Sequence, residues 1–390
     1  MRRWLAGIAT FIVLLAVAGW LHAYVVQRMV VDAGLDNPWR GITTGLIWAG
    51  FGAMLVQPLA DRFLPRSSGR LLSLPGTSWM ALVFWFLLAL GVTDLALLTI
   101  PHEPGTIGPW RAAAVGGTVA ALASVGHYNV RRGPRDVRVE IALPRWPREL
   151  DGYRIVQISD IHIGPALDRR FARALVERVN ALEPDLVAVT GDLVDGRLEQ
   201  LIEEVQPFGE LRGRDGVYFV TGNHDFYSGV DDWTDHLTKL GLRVLRNDSQ
   251  IITRGRSAFG LAGVDDHRGG LLPGDGGEDL DAALAGLPDA LPVVLLAHDP
   301  STFKTSHARG IDLQLSGHTH GGQIWPFHAL VRLVIPFVAG RYSRGGAELY
   351  VSRGTGFWGP PMRLGAPAEI TEIVVRAAPQ PSHARTGDPR

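Results

Sequence analysis

Apolar and polar positions follow two different rhythms along this chain, and the change between them falls near residue 130. Before it come four long apolar runs: Leu5 to Val26, Gly41 to Ala60, Ser78 to Ile100 and Trp110 to about Gly126. Each approaches the roughly 20 residues that a helix needs to cross a hydrocarbon core about 30 Å thick. Residues 1–130 therefore predict an all-α transmembrane anchor of about four helices, with Trp20, Trp39, Trp79 and Trp110 placed near run ends as interfacial anchors. A cleaved signal peptide would explain the first run alone; the three that follow point to a retained anchor. Asp94 sits inside the third run with no evident basic partner in the other spans, and reads as a structural carboxylate near the end of its helix.

Residues 131–150 are rich in Arg and Pro and read as a basic juxtamembrane linker, able to set topology or to meet anionic head groups. From residue 151 to 376 short β-rich runs alternate with amphipathic stretches, the pattern of an α/β domain. Strands are predicted at Arg154 to Ser159, Leu186 to Thr190, Val217 to Thr221, Val293 to Ala297 and Leu313 to Ser316, with closing strands at Ala347 to Ser352 and Ile370 to Val375. Helices are predicted over Ala166 to Ala181 and Leu198 to Leu211. The Gly-rich stretch His267 to Gly277 reads as a mobile loop, and residues 377–390 as a disordered tail.

Lys+Arg 38 against Asp+Glu 39 leaves almost no net charge, so no nucleic-acid partner is expected. The local distribution is more informative. With four helices, Arg2, Arg3, Arg62, Arg66, Arg70, Arg131, Arg132, Arg135 and Arg138 all fall on one side, which predicts both termini, and the α/β domain, on the cytoplasmic face of the cell membrane. An odd helix count would reverse this. Without cysteine, any metal must be held by His, Asp, Asn or Glu.

Five polar clusters end the predicted strands: Asp160-Ile-His162, Gly191-Asp192, Gly222-Asn223-His224-Asp225, His298 and Gly317-His318-Thr319-His320. Singly, each has an ordinary reading as a turn beside a core histidine. Together they gather carboxylate, imidazole and amide oxygen donors, enough for two hard or borderline cations such as Mn, Fe or Zn. Open α/β sheets bind ligands at the carboxyl ends of their strands, where these clusters lie.

In this order, the set resembles the calcineurin-like metallophosphoesterase family, with its Asp-x-His, Gly-Asp, Gly-Asn-His-Asp/Glu, His and Gly-His-x-His pieces; the resemblance covers roughly Tyr153 to Val375. It implies a two-sheet β-sandwich flanked by helices and two divalent metal ions. It also implies Asp160, His162 and His320 on the first metal, Asn223, His298 and His318 on the second, and Asp192 bridging them. His224 would face the phosphate as charge stabiliser or general acid, with Asp195 as the carboxylate that orients it and Asp225 as the competing orienter. The implied reaction is attack of a metal-bridging hydroxide on phosphorus.

Asp265, Asp266 and the segment Phe357 to Arg363 resemble parts of membrane-tethered branches of the family. Ile324 to Val338 is apolar but short and broken by Pro326 and Pro336, which fits either a buried cap or a flap resting on the membrane. The expected activity is a phosphodiesterase or pyrophosphatase acting on a membrane-associated, lipid-linked phosphate ester. Two alternatives are a phosphomonoesterase or protein phosphatase, and a metal-dependent sensor with vestigial catalysis. The remaining histidines, His22, His102, His127, His236, His307 and His328, lack motif partners and read as structural or exposed.

Overall fold

Four helices form where the apolar runs predict them: α1 (Arg2–Val26), α2 (Trp39–Phe63), α3 (Arg66–Leu97) and α4 (Gly108–Arg131). The structure is a computed structural model describing residues 2–64, 66–101, 103, 105–267, 269 and 276–378. It divides into two units: Met1–Arg132 with Trp358–Leu364, and Gly133–Phe357 with Gly365–Arg390. His102, most of the Gly-rich stretch and the tail beyond residue 378 lie outside the described residues.

Among the described residues, three segments are long and apolar enough to cross a membrane: Gly7–Val31, Trp39–Asp61 and Ser68–Leu97. The expected fourth span is a helix of 24 residues, but it is rich in Ala and Gly and less apolar than the others. Small residues let α2 and α3 approach closely, since a Cβ on Gly50 would collide with the Trp79 ring and one on Gly76 with the Ala53 carbonyl. His22 is locked between them, its Nδ1–H donating to Ala18 O at 2.8 Å while Nε2 accepts from Trp79 Nε1 at 3.0 Å.

Asp94 does have basic partners, contrary to the sequence reading. Arg111 Nη1 lies 2.7 Å and Arg28 Nη2 2.9 Å from its carboxylate, and the Tyr24 hydroxyl donates to it at 2.7 Å. Asp32 closes the ring, 2.9 Å from Arg28 and 3.0 Å from the buried Arg111. Two positive and two negative groups thus cancel, which makes charge tolerable near a bilayer. These partners escaped the sequence because Arg28 lies past the end of its run and Arg111 at the very start of its own. Residues Trp358–Leu364, a candidate site segment by sequence, belong to this unit instead: Arg363 N donates to Gly126 O at 3.0 Å, and Asn129 Nδ2 to Arg363 O at 3.0 Å.

The second unit contains β1 (Arg135–Leu143), β2 (Tyr153–Ile158), β3 (Leu186–Thr190), β4 (Val217–Val220), β5 (Arg243–Val244), β6 (Asp248–Arg254), β7 (Ser257–Gly263), β8 (Val293–Leu296), β9 (Leu313–Ser316), β10 (Gly340–Arg344), β11 (Ala347–Val351) and β12 (Glu369–Ala377). They build two mixed six-stranded sheets, ordered β1-β12-β2-β3-β4-β5 and β10-β11-β9-β8-β7-β6. β2, β3, β4 and β5 run parallel in the first sheet, and β7, β8, β9 and β11 in the second. Alternate residues of each sheet, among them Tyr153, Ile155, Leu186, Ala188, Phe259, Leu261, Val294, Leu296, Leu313 and Leu315, are buried in one shared core, as a sandwich requires.

Helices flank the sheets: α5 (Arg169–Ala181), α6 (Leu198–Val205), α7 (Asn223–Tyr227) and α8 (Val230–Lys239). α5 starts three residues later than expected because Asp168 caps it, accepting from Arg170 N and Phe171 N at 3.0 and 3.2 Å. It buries Ala172, Leu175, Val176 and Val179, one stripe of the helix.

The linker requires a correction. Arg135–Leu143 is not a connector but β1, paired in parallel with β12 from Arg135↔Glu369 to Leu143↔Ala377. Val137, Val139, Ile141 and Leu143 alternate with charged or small residues, and Ile141 and Leu143 reach the core. The hairpin β6–β7 and the short strands β5 and β10 are further additions to the predicted set.

Candidate metal centre

Each polar cluster leaves the carboxyl end of a strand on one rim of the sandwich: Asp160 and His162 after β2, Asp192 after β3, Asn223 after β4, His298 after β8, and His318 and His320 after β9. Three groups of donors result: Asp160, His162 and His320; His162, Asp192 and His224; Asp192, His298 and His318. Within each group the donor atoms lie within 4.8 Å of one another. His162 and Asp192 each belong to two groups, so the whole set is continuous.

The backbone takes an uncommon path to achieve this. Asp160, His162, Asp192, His318 and His320 all have left-handed φ, between 51° and 72°. This conformation costs free energy for residues with a side chain and concentrates at functional sites. Close approach also explains two of the glycines: a Cβ on Gly222 would collide with the Asp192 carboxylate, and one on Gly317 with that of Asp160.

Hydrogen bonds fix which atoms face inward. His298 Nδ1–H donates to Thr190 O at 2.7 Å, leaving Nε2 as a lone pair 3.2 Å from Asp192 Oδ2 and 3.3 Å from His318 Nδ1. His162 Nδ1–H donates to Asp195 Oδ1 at 2.9 Å, leaving Nε2 3.1 Å from His320 Nε2 and 3.8 Å from Asp192 Oδ2. Asp160 Oδ1 accepts from His318 N at 2.9 Å and lies 3.4 Å from His320 Nε2. Asp160 Oδ2 and Asn223 Oδ1 are buried without a hydrogen-bond donor. Such oxygens are costly in a folded interior unless a cation takes their lone pairs, so the donor set fits divalent metals. The surrounding hydrogen bonds are those that orient metal-bound imidazoles.

His224 stands beside this set, its ring perpendicular to that of His162 with centroids 4.8 Å apart. Its Nδ1 lies 2.7 Å from Asp195 Oδ1, so one carboxylate holds both His162 and His224. Burial disfavours the imidazolium of His224, but the charges of Asp195 and Asp192 outweigh it and raise the pKa to about 9. Burial alone would raise the Asp195 carboxyl; the two imidazoles overcome this and hold it well below the usual range.

Asp225, the competing orienter, has a different task. Its oxygens accept from Gly222 N at 2.8 Å, Asp192 N at 2.9 Å and Leu193 N at 3.0 Å, tying the loop after β3 to the start of α7. Asp265 is likewise engaged, by the Thr221 hydroxyl at 2.7 Å and Arg246 Nε at 3.0 Å. Sequence reasoning missed Asp299, which is buried with Oδ2 3.7 Å from His318 Nε2. Its only local signal was a carboxylate directly after His298 and before Pro300, which reads as an ordinary turn.

Residues 153–322 match the family described as calcineurin-like phosphoesterase. An Aquifex aeolicus protein named "Uncharacterized metallophosphoesterase" is 35% identical over 226 residues, which is 57% of this chain and 85% of that protein. The chain belongs to the calcineurin-like metallophosphoesterase family. Similarity also extends to proteins named "Transmembrane protein with metallophosphoesterase domain" from Bos taurus, 42% identical over 273 residues, and from Danio rerio, 39% identical over 268 residues. Both matches cover 66% of this chain, which spans 61% of either relative. The matched residues 153–322 include every donor of the three clusters described above.

Proposed function

We propose that this metallophosphoesterase hydrolyses a phosphodiester or pyrophosphate bond in a membrane-associated substrate, using two divalent cations drawn from Mn, Fe and Zn. The observation that carries the reading is the convergence of Asp160, His162, Asp192, His298, His318 and His320, with Asp192 common to two clusters, beside the buried and unpartnered Asn223 Oδ1. Asp160, His162 and His320 would hold one cation, and Asn223, His298 and His318 the other, with Asp192 shared. When bound, the pair supplies a nucleophile at neutral pH and neutralises phosphoryl charge.

The chain's own residues do the rest. His224, with Nδ1–H held by Asp195 at 2.7 Å, presents Nε2–H to protonate the leaving oxygen as the bond to phosphorus breaks. Asp195 is a positioning residue for that proton and for His162. Asn223 contributes an uncharged oxygen, which spares the incoming phosphate an extra repulsion.

Three segments apolar enough to cross a membrane support a substrate found at a bilayer. If α4 crosses as a fourth span, the helix-end arginines support a cytoplasmic domain; if only the three apolar spans cross, the same rule reverses the side, and a C-terminal reporter active only outside the cytoplasm would select that arrangement. The reaction class is tested on the full chain with Mn²⁺, comparing bis-p-nitrophenyl phosphate with p-nitrophenyl phosphate. The diester is expected to give the higher kcat/KM. Preference for the monoester would replace the reading by a phosphomonoesterase, and turnover of neither by metal-loaded protein would favour a sensor.

A further inference from the structure

Directly after His320 the chain turns sharply through Gly321 and Gln323, with φ of 63° and 43°, and enters the apolar segment that ends at Val338. Its ends are fixed by buried residues, Ile324 on one side and Ile335 and Val338 on the other. Between them lies the helix His328–Val334, in which no residue is buried. Its Leu333 and Val334 are 82% and 75% exposed, and nearby Trp325 is 52% exposed. Phe327 and Leu330 are exposed as well.

A helix of 7 residues is far below the ~12–15 at which an isolated helix becomes even marginal in water. Tertiary packing is confined to its start, where His328 rests on Gly322, so an apolar medium is the partner that suits the exposed face. Two facts identify that medium. The same chain carries three segments able to cross a membrane, so a bilayer is always within reach. From Leu313 to Ala347 there is no Asp or Glu; Arg332 and Arg344 fall in that stretch, while Arg341, also within it, is paired with Glu348 at 2.7 Å. Apolar side chains flanked by Trp and Arg match the boundary of an anionic leaflet.

We infer that Trp325–Val334 is a flap that inserts into an anionic leaflet and admits a lipid-borne phosphoester to the His320 side of the metal centre. Insertion stands on the exposed apolar residues and the charge pattern. The lipid substrate additionally rests on the hydrolase reading above.

Because the chain has no cysteine, Leu333→Cys gives a unique labelling site in the full protein. A nitroxide there, in nanodiscs of phosphatidylcholine and phosphatidylglycerol, is expected to show an oxygen-to-nickel-chelate accessibility ratio near that of Leu46→Cys on α2. It should exceed several-fold the ratio of Arg256→Cys on the β6–β7 turn. A ratio like that of Arg256→Cys, or protection from both reagents as under a protein partner, overturns insertion. In the same discs, Leu333→Glu with Val334→Glu should leave bis-p-nitrophenyl phosphate turnover unchanged. It should lower turnover of a long-chain alkyl p-nitrophenyl phosphodiester about tenfold, the equivalent of losing ~1.4 kcal/mol of binding. Equal effects on both substrates would overturn the lipid route. Failure of the unsubstituted protein on both would instead remove the hydrolase reading, and leave the accessibility result to decide insertion alone.

Discussion

Asp192→Asn is expected to abolish turnover, with a loss on the order of 10³-fold or more. The Asp192 carboxylate lies 3.2 Å from His298 Nε2 and 3.8 Å from His162 Nε2, so it joins the donor group of His298 and His318 to that of His162. An amide there removes the negative charge that lets two dications sit close together. The amide oxygen can still accept from His224 N, which lies 2.8 Å from Asp192 Oδ1, so the loop itself should keep its shape. Metal content measured by mass spectrometry should fall below two per chain while circular dichroism stays unchanged. Normal turnover with two metals bound would remove the shared-ligand assignment.

The second large effect separates chemistry from metal binding. His224→Ala should slow turnover by about 10²–10⁴-fold while leaving bound metal near its original level. If the imidazole gives its proton to the departing oxygen, the loss should be steep for an alkyl leaving group and shallow for p-nitrophenolate, which departs without help. Equal losses on both would overturn the proton-donor role, and loss of metal would place His224 among the ligands. Asp195→Asn is a different lesion, since Asp195 also holds His162 Nδ1 at 2.9 Å. It should reduce both turnover and metal affinity, the latter by about 10–100-fold.

Much of this architecture was legible because each motif coincides with a physical boundary. β2, β3, β4, β8 and β9 are short and wholly or mostly buried, so they read as continuous apolar runs that stop at a polar cluster. β1 was hidden for the opposite reason. It is an edge strand with arginines on its open face, and those arginines suggested a membrane-surface linker although Val137, Val139, Ile141 and Leu143 kept the strand period.

Within the site, residue types and order pointed to the ligands, but the partners of those ligands are long-range. Asp195 meets His162 across 33 residues of chain, and nothing local distinguishes a carboxylate serving two imidazoles from one serving a single imidazole. Asp225 looked like a catalytic neighbour because it follows His224; only its four backbone donors show that it braces the loops. Asp94 posed the same difficulty in the helices, where its partners come from two other segments, Gly7–Val31 and α4.

The left-handed backbone at Asp160, His162, Asp192, His318 and His320 has a thermodynamic corollary. Such conformations cost on the order of 1–3 kcal/mol each, so these loops act as a loaded spring within an otherwise relaxed sandwich. Cations that bind only the folded form offset the tension by mass action. Chelation should therefore lower the calorimetric unfolding temperature of the domain by several degrees, and hydrogen exchange should quicken first at residues 160–162 and 318–320 while β3 and β8 stay protected. An unchanged melting temperature after complete metal removal would mean that the loops keep their shape unaided, and that the strain is balanced entirely by the protein.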